Sequence, residues 1–578
     1  MPVRTLTLTI ALLAATPSAG SELGFVYVRA NVGGASGGHA ALVADERIFH
    51  MQAGADGLVR LTRDRWSHFR YLYADLQNRP LEVAYVELEP AARERVLAEF
   101  TRLYVEQDGA FAHRDEARED VAWLEAFRDA RELPPLRGAG LLSADERGDP
   151  RAAELAARFA PLLAESKREA AAALAAGSAL RMREYREALA LDHALRALEG
   201  GYGLASEALV TLPPELDPPL DAAARAGLEA RAAELERTLA ELVGSRRPDR
   251  GAGILLTHAR YLAVKRSLDQ GRLVLLDPFD GARRIEVDVL EMSPRAHALA
   301  VAHAAQVERQ VRALVLEPTR VDEPSYTVLE EAGGMLERVA SARDIGALYD
   351  LGRRRLPARG RTLAARAPAG DLAAALVEAQ LRRDDAQRAL DQRFAYDLFD
   401  RNCITELVRL VDEAFDSAEE ARQAMGGRIE PGETFGFVPF VFFDGVRTRL
   451  RVARVERVPS FRERELARVE REEPGAWTRA RESITLSSTT YEPLLRDSAF
   501  LLFTDDVFWR RPLYGAANLA FASAYTVYGL GAAPFDRGAR LRAGLLGAFW
   551  SLPELAFANV RKGSYEFVSA EAVPGPDR

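Results

Sequence analysis

Three side chains, His39, His50 and Cys403, have the types and local settings that nucleophilic catalysis requires. Cys403 is the single cysteine among 578 residues, and the chain carries eight histidines. His39 and His50 flank a polar pair in His39-Ala-Ala-Leu-Val-Ala-Asp-Glu-Arg-Ile-Phe-His-Met51, where two apolar, β-branched runs read as strands. With Asp45–Glu46 as a two-residue turn, Ala44 faces Arg47 and Ala41 faces His50. Side chains alternate between the faces of a sheet, and directly opposed residues share one. His39 and His50 then become diagonal neighbours on the same face. A turn one residue longer would send them to opposite faces. Two imidazoles so placed suit a division of labour in which one takes a proton and the other fixes its tautomer and orientation.

The thiol lies in Tyr396-Asp-Leu-Phe-Asp-Arg-Asn-Cys-Ile-Thr-Glu-Leu-Val-Arg-Leu-Val-Asp412, an extended or turn segment leading into an amphipathic helix with Leu407, Leu410 and Val411 on one face. Asp400 or Asn402 is the expected N-cap. Either cap puts Cys403 in the first turn, where unpaired backbone N–H groups and the helix dipole favour an anion and are expected to lower the thiol pKa. The same N–H groups can act as an oxyanion hole. A lone cysteine at a helix start can also be a small buried apolar side chain; the flanking charge and the histidine pair favour the chemical reading.

The positioning elements follow from the flanking sequence. Phe25–Val28, His39–Val43, Arg47–Met51 and Leu81–Leu88 read as strands. Between the first two lies Asn31-Val-Gly-Gly-Ala-Ser-Gly-Gly38, four glycines in eight residues. Such a loop adopts positive φ or brings the backbone close to something. Residues 91 to about 250 turn rich in Ala, Arg, Glu and Leu with helical spacing, as in Ala152 to Ala173 and Ser178 to Leu198. Further strands are expected at Leu273–Leu276 and Ile285–Val289, and a helix at Ala367–Phe394. From Pro512 to Phe535 no residue is charged, and a second apolar stretch runs from Leu545 to Leu552. This region has three open readings: a buried helical hairpin, a helix on or in a membrane face, or a true span.

Composition bounds the class. The chain is 48% hydrophobic and 28% charged, and 77 Lys+Arg against 86 Asp+Glu leave −9, with no basic surplus to suggest a nucleic-acid partner. One cysteine excludes an internal disulfide framework, a thiolate zinc site and an iron–sulfur cluster built from this chain alone. His297 and His303 are not at metal spacing on one helix face, so no metal and no cofactor are expected. Arg4, the apolar run Leu6–Ala15 and small residues at 16–21 have the layout of a secretory signal peptide, so the mature chain is expected to be exported and periplasmic, with membrane association through 512–552 open. The expected organisation is a signal peptide at 1–20, the histidine strands at 22–90, a mostly helical insertion at 91–390, the cysteine helix at 391–460 and an apolar helical region at 461–578.

Val28-Arg-Ala-Asn-Val-Gly-Gly-Ala-Ser-Gly-Gly-His-Ala-Ala-Leu42, Ile48-Phe-His-Met-Gln52 and Tyr396–Leu407, with Gly436-Phe-Val-Pro-Phe440, together resemble the bacterial domain-of-unknown-function family 4105. That family is similar to the periplasmic N-terminal domain of Lnb-type lipoprotein N-acyltransferases, and both resemble the circularly permuted papain-like fold of NlpC-type peptidases and lecithin:retinol acyltransferase. The resemblance covers roughly 22–90 and 390–445, and it departs from the family in its insertion of about 300 residues and in lacking a convincing multi-helix membrane domain. It implies an α+β fold: an antiparallel sheet plus a Cys-bearing helix, with Cys403 as nucleophile, His39 as general base and His50 as the orienting residue. Gly37, Gly38, Asn402 and Tyr396 are the expected substrate-binding residues. The expected activity is thiol-dependent acyl transfer on a cell-envelope acyl, lipoprotein, lipid-linked or peptide substrate. A peptidoglycan peptide amidase and a non-catalytic envelope scaffold are the alternatives.

Overall fold

The computed structural model describes residues 22–563 apart from 30–37, 55, 71–72, 75–78, 280–283, 287–293, 317–322, 346, 350–358, 398, 431–437, 473–474, 492–496, 504–507, 558–559 and 561. The signal-peptide segment, Gly37, Gly436 and Phe437 therefore lie outside the described residues. The described chain divides into two compact units, one drawn from residues within 1–109, 390–491 and 497–567, the other from 110–389.

In chain order the principal elements are β1 (Glu22–Val28), β2 (His39–Ala44), β3 (Arg47–Ala53), β4 (Val59–Arg65), α1 (Trp66–Arg70), β5 (Leu81–Glu87) and α2 (Pro90–Arg128). There follow α3 (Pro150–Ala175), α4 (Met182–Glu199), α5 (Ala222–Gly244), α6 (Arg250–Gln270), α7 (Pro294–Val315), α8 (Glu323–Ser341) and α9 (Leu372–Phe394). The chain continues with α10 (Cys403–Glu413), α11 (Ala418–Met425), α12 (Pro439–Arg449), β6 (Val452–Val458), α13 (Phe461–Glu472), α14 (Ala476–Glu482), α15 (Arg511–Asp536) and α16 (Ala539–Leu555). The protein is thus α+β.

The first unit is built on a six-stranded sheet in the order β6-β5-β1-β2-β3-β4, every neighbouring pair antiparallel. β1 is apolar from Leu23 to Val28 and sits among the inner strands, buried there on both faces. On one face Val26, Val28, Ala41, Val43 and Ile48 meet Trp66, Phe69 and Tyr73. On the other, Phe25 packs edge-on against Phe442 of α12, Tyr27 stacks on Phe443, and Phe49 meets Phe100 of α2. The outer strands read Val-Arg-Leu-Thr-Arg-Asp-Arg and Val-Ala-Arg-Val-Glu-Arg-Val, charge that keeps an exposed edge from pairing with other chains. That same charge hides both from a search for apolar runs.

The second unit is helical. Its core gathers Leu195, Leu198, Leu228, Leu239, Ile254 and Leu262 from α4, α5 and α6. Arg260 and Glu330 form a fully buried pair, with Nε donating to Oε1 at 2.9 Å. The segment Leu273–Leu276, read above as a strand, is irregular and joins Leu209 by a single bridge at Leu276. Its apolar run is explained by burial under the helices, a case in which apolar content without alternation is ambiguous. Of the second expected strand, Ile285 and Glu286 lie in a strand, Arg284–Glu286, paired with Ala347–Tyr349, and 287–289 lie outside the described residues.

Candidate active site

Local chemistry sets the histidine hairpin. Asp45 takes φ 55° at the turn, a conformation that Asp tolerates better than most residues, and the observed pairs run from Ala44↔Arg47 to Ala41↔His50. This is the register a two-residue turn imposes. His39 and His50 meet as diagonal neighbours, with His39 Nε2 and His50 Nδ1 3.2 Å apart and the rings nearly perpendicular at 85°. Gly38, at φ 86°, turns the chain into β2 immediately before His39. A side chain there would be strained.

An aromatic wall supports the pair. The short α1 delivers Phe69, whose ring lies 5.1 Å from His50 and 6.5 Å from His39, while Tyr73 stacks on His39 at 5.9 Å. Burial pushes the His39 pKa well below its ordinary value, and the neighbouring His50 and the Arg79 cation push the same way. His39 is therefore a neutral imidazole at neutral pH, with a lone pair available to take a proton. A bond from Nε2–H of His39 to Nδ1 of His50 would leave Nδ1 of His39 as the basic atom.

Cys403 is the first residue of α10. Asn402, not Asp400, is the N-cap: its Oδ1 accepts from Ile404 N at 2.8 Å and Thr405 N at 3.0 Å, and Thr405 Oγ1 accepts from Asn402 N at 2.8 Å. This reciprocal box holds the first turn rigid. Upstream, Asp397 Oδ1 accepts from the N–H groups of Phe399 and Asp400, and residues 397 and 401 exchange backbone hydrogen bonds. The loop is anchored at Tyr396, whose N–H donates to Gly57 O at 2.8 Å.

Helix α10 packs on β2 and β3, and the backbone N–H groups of Ala40, next to His39, and of Cys403 and Ile404 lie near enough to the thiol to pull its pKa down. Residues more than 350 positions apart in the sequence thus share one site. The phenols of Tyr73 and Tyr396 lie near enough to the sulfur for its charge to raise their pKa values, after burial as the larger cause in both.

The electrostatic outcome for the thiol reverses the sequence expectation. Burial pushes the Cys403 pKa above its ordinary value, and the three N–H groups that pull it down do not offset that. A helix N-terminus stabilises a thiolate only as far as water or N–H groups replace the lost solvation, and here desolvation wins. At rest the Cys403 thiol and the His39 imidazole are both neutral.

The expected site residues fall as follows. His39, His50, Cys403 and Asn402 come together, with Tyr396 half exposed beside them; Gly38 shapes the entry to β2, and Gly37 is outside the described residues. Two contributors carried no local signal. Arg79, 4% exposed, donates from Nε to Arg29 O at 2.7 Å and lies over the ring of the second, Tyr73. Glu406 pairs with Arg409 at 2.7 Å. His193 and His297 each bond a backbone carbonyl. Among the described residues no group of three or more His, Cys, Asp or Glu is placed to hold a metal ion. Compared with known proteins, the chain matches no family model, no curated protein and no solved structure.

Proposed function

We propose that this chain is an exported, thiol-dependent acyl-transfer enzyme with a permuted papain-like core, acting on an acyl, lipid-linked or amide substrate of the cell envelope. The observation that carries the reading is the His39 Nε2–His50 Nδ1 contact of 3.2 Å beside a helix N-terminus whose first residue is the chain's single cysteine. A nucleophile, a base and an orienting group in this relation are the elements of covalent catalysis. The order of the elements, histidine strands before cysteine helix, agrees with the permuted form.

In the proposed reaction His39 takes the thiol proton as the sulfur attacks the acyl carbonyl carbon. The tetrahedral oxyanion is met by the backbone N–H of Cys403, since the N–H groups of Ile404 and Thr405 are held by Asn402 Oδ1. Collapse breaks the bond to the leaving alcohol or amine, which receives the proton from His39, and leaves a thioester on Cys403. A second alcohol, an amine or water then gives its proton to His39 and attacks the thioester. The released sulfur regains that proton. Water makes the enzyme a hydrolase; an amine or alcohol makes it an acyltransferase.

The test is incubation with a long-chain p-nitrophenyl ester, followed by intact-mass measurement and peptide mapping. An acyl adduct on Cys403 is expected, absent in Cys403→Ala. His39→Ala should form it about 10² to 10⁴ times more slowly, the usual worth of general-base catalysis. Folded protein that yields neither adduct nor nitrophenol release would overturn the proposal.

A further inference from the structure

The α15–α16 hairpin reverses the polarity of a water-soluble helix pair. Its buried residues are Arg511, Gly515, Asn518, Ala522, Gly529 and Ala532 on α15, and Gly544, Gly547, Ser551 and Glu554 on α16. Not one is a large apolar side chain. Those point outward: Val527 is 69% exposed and Phe535 89%, with Leu513, Leu530, Leu545 and Phe549 also exposed. At 100° per residue, Val527, Tyr528, Leu530 and Phe535 sweep roughly 160° of α15.

The interior explains how the two helices hold together without apolar burial. A Cβ on Gly529 would come within 2.5 Å of Leu541 N, and one on Gly544 within 2.7 Å of Thr526 N, so the backbones touch. At the open end Glu554 gathers Asn518 Nδ2 at 3.1 Å, Arg511 Nη1 at 3.6 Å and Lys562 Nζ. Close packing through small residues, with polar groups satisfied inside, is how helices associate when the surroundings are hydrocarbon.

The charge pattern completes the description. Within 511–557 the exposed charged side chains are Arg537, Arg540 and Arg542, all at the hairpin tip. No helix among the described residues is long and apolar enough to cross a membrane. A basic tip on an apolar body fits an element lying in one face of a bilayer, arginines among anionic headgroups and apolar side chains in the acyl boundary. A second copy packing helix against helix would cover a narrower stripe than this arc.

We infer that the α15–α16 hairpin is a membrane-docking element that seats this chain on a lipid surface bearing anionic headgroups. The inference is independent of the thiol chemistry.

The experiment is flotation of the full chain with phosphatidylcholine vesicles, with and without phosphatidylglycerol, alongside light scattering in the absence of lipid. The chain should float with anionic vesicles, and Phe535→Glu or Val527→Asp should weaken binding roughly tenfold or more. These side chains are exposed, so thermal unfolding of the variants should match the parent. Each of Arg537→Gln, Arg540→Gln and Arg542→Gln should cost about fivefold on anionic vesicles, an effect suppressed by salt. Cys403→Ser should float normally, which separates failure here from failure of the catalytic reading. Absence of flotation, equal flotation of the Glu and Asp variants, or a lipid-free dimer broken by those variants would each overturn the inference, the last in favour of a second copy.

Discussion

The pH dependence of Cys403 alkylation separates two ways of running thiol chemistry. If the sulfur rested as a thiolate paired with a protonated imidazole, its reaction with iodoacetamide would be fast and flat from pH 6 upward. The structure predicts the opposite, because burial raises the thiol pKa and lowers that of His39, leaving both groups neutral. A thiol at the ordinary value of 9.0 is only about 1% ionised at pH 7, and Cys403 lies above that value. Forming the thiolate at pH 7 therefore costs at least about 3 kcal/mol, which bond formation to the acyl carbon, concerted with proton transfer to His39, must offset. Because the chain has one cysteine, intact-mass kinetics read this site alone. The alkylation rate should rise roughly tenfold per pH unit between pH 6 and 8. His39→Ala should keep that slope while losing acyl-adduct formation. A rate at pH 6 within about threefold of the rate at pH 8 would refute the argument, since only a preformed thiolate behaves so.

Other perturbations test the frame around the site. His258 is fully buried, both ring nitrogens lack a hydrogen-bond partner, and burial pulls its pKa from 6.5 down to about 4. Its contribution to stability is complete above 6.5 and is lost as the unfolded chain takes up a proton that the folded one refuses; of the loss that urea titrations read between pH 6.5 and 4, about 3 kcal/mol should disappear in His258→Phe. Arg260→Met leaves the buried Glu330 without its cation and should destabilise the helical unit by about 3 to 5 kcal/mol, with much of that restored in the Arg260→Met, Glu330→Met double variant. Asn402→Ala removes an acceptor for two N–H groups, and denaturation should show a loss of about 1 kcal/mol with a larger fall in acyl-adduct rate. Gly38→Val forces a β-branched residue to φ 86°, which should cost about 1 to 3 kcal/mol and displace His39.

Much of the site was legible locally. The strands around the histidines, their register and the helix opening at Cys403 all follow from short-range rules. Elsewhere those rules ran out. The outer strands β4 and β6 carry too many charges to read as strands, and Leu273–Leu276 is apolar because helices cover it. The uncharged run at 512–535 left three placements open. It is a helix within a close-packed hairpin, and its large side chains face outward.

Period-two alternation and a two-residue turn were enough, from sequence, to set His39 and His50 on one face, because both rules act within a dozen residues. A capping side chain at Asp400 or Asn402 was likewise enough to expect a helix opening at Cys403, and the fold chose Asn402. Which groups the thiol meets, and whether it ionises, depended on long-range packing. Only the folded chain brings α10 against β2 and lays Phe69, Tyr73 and Arg79 over the histidines. Desolvation is a property of everything that surrounds an atom, and no stretch of neighbouring residues contains that information.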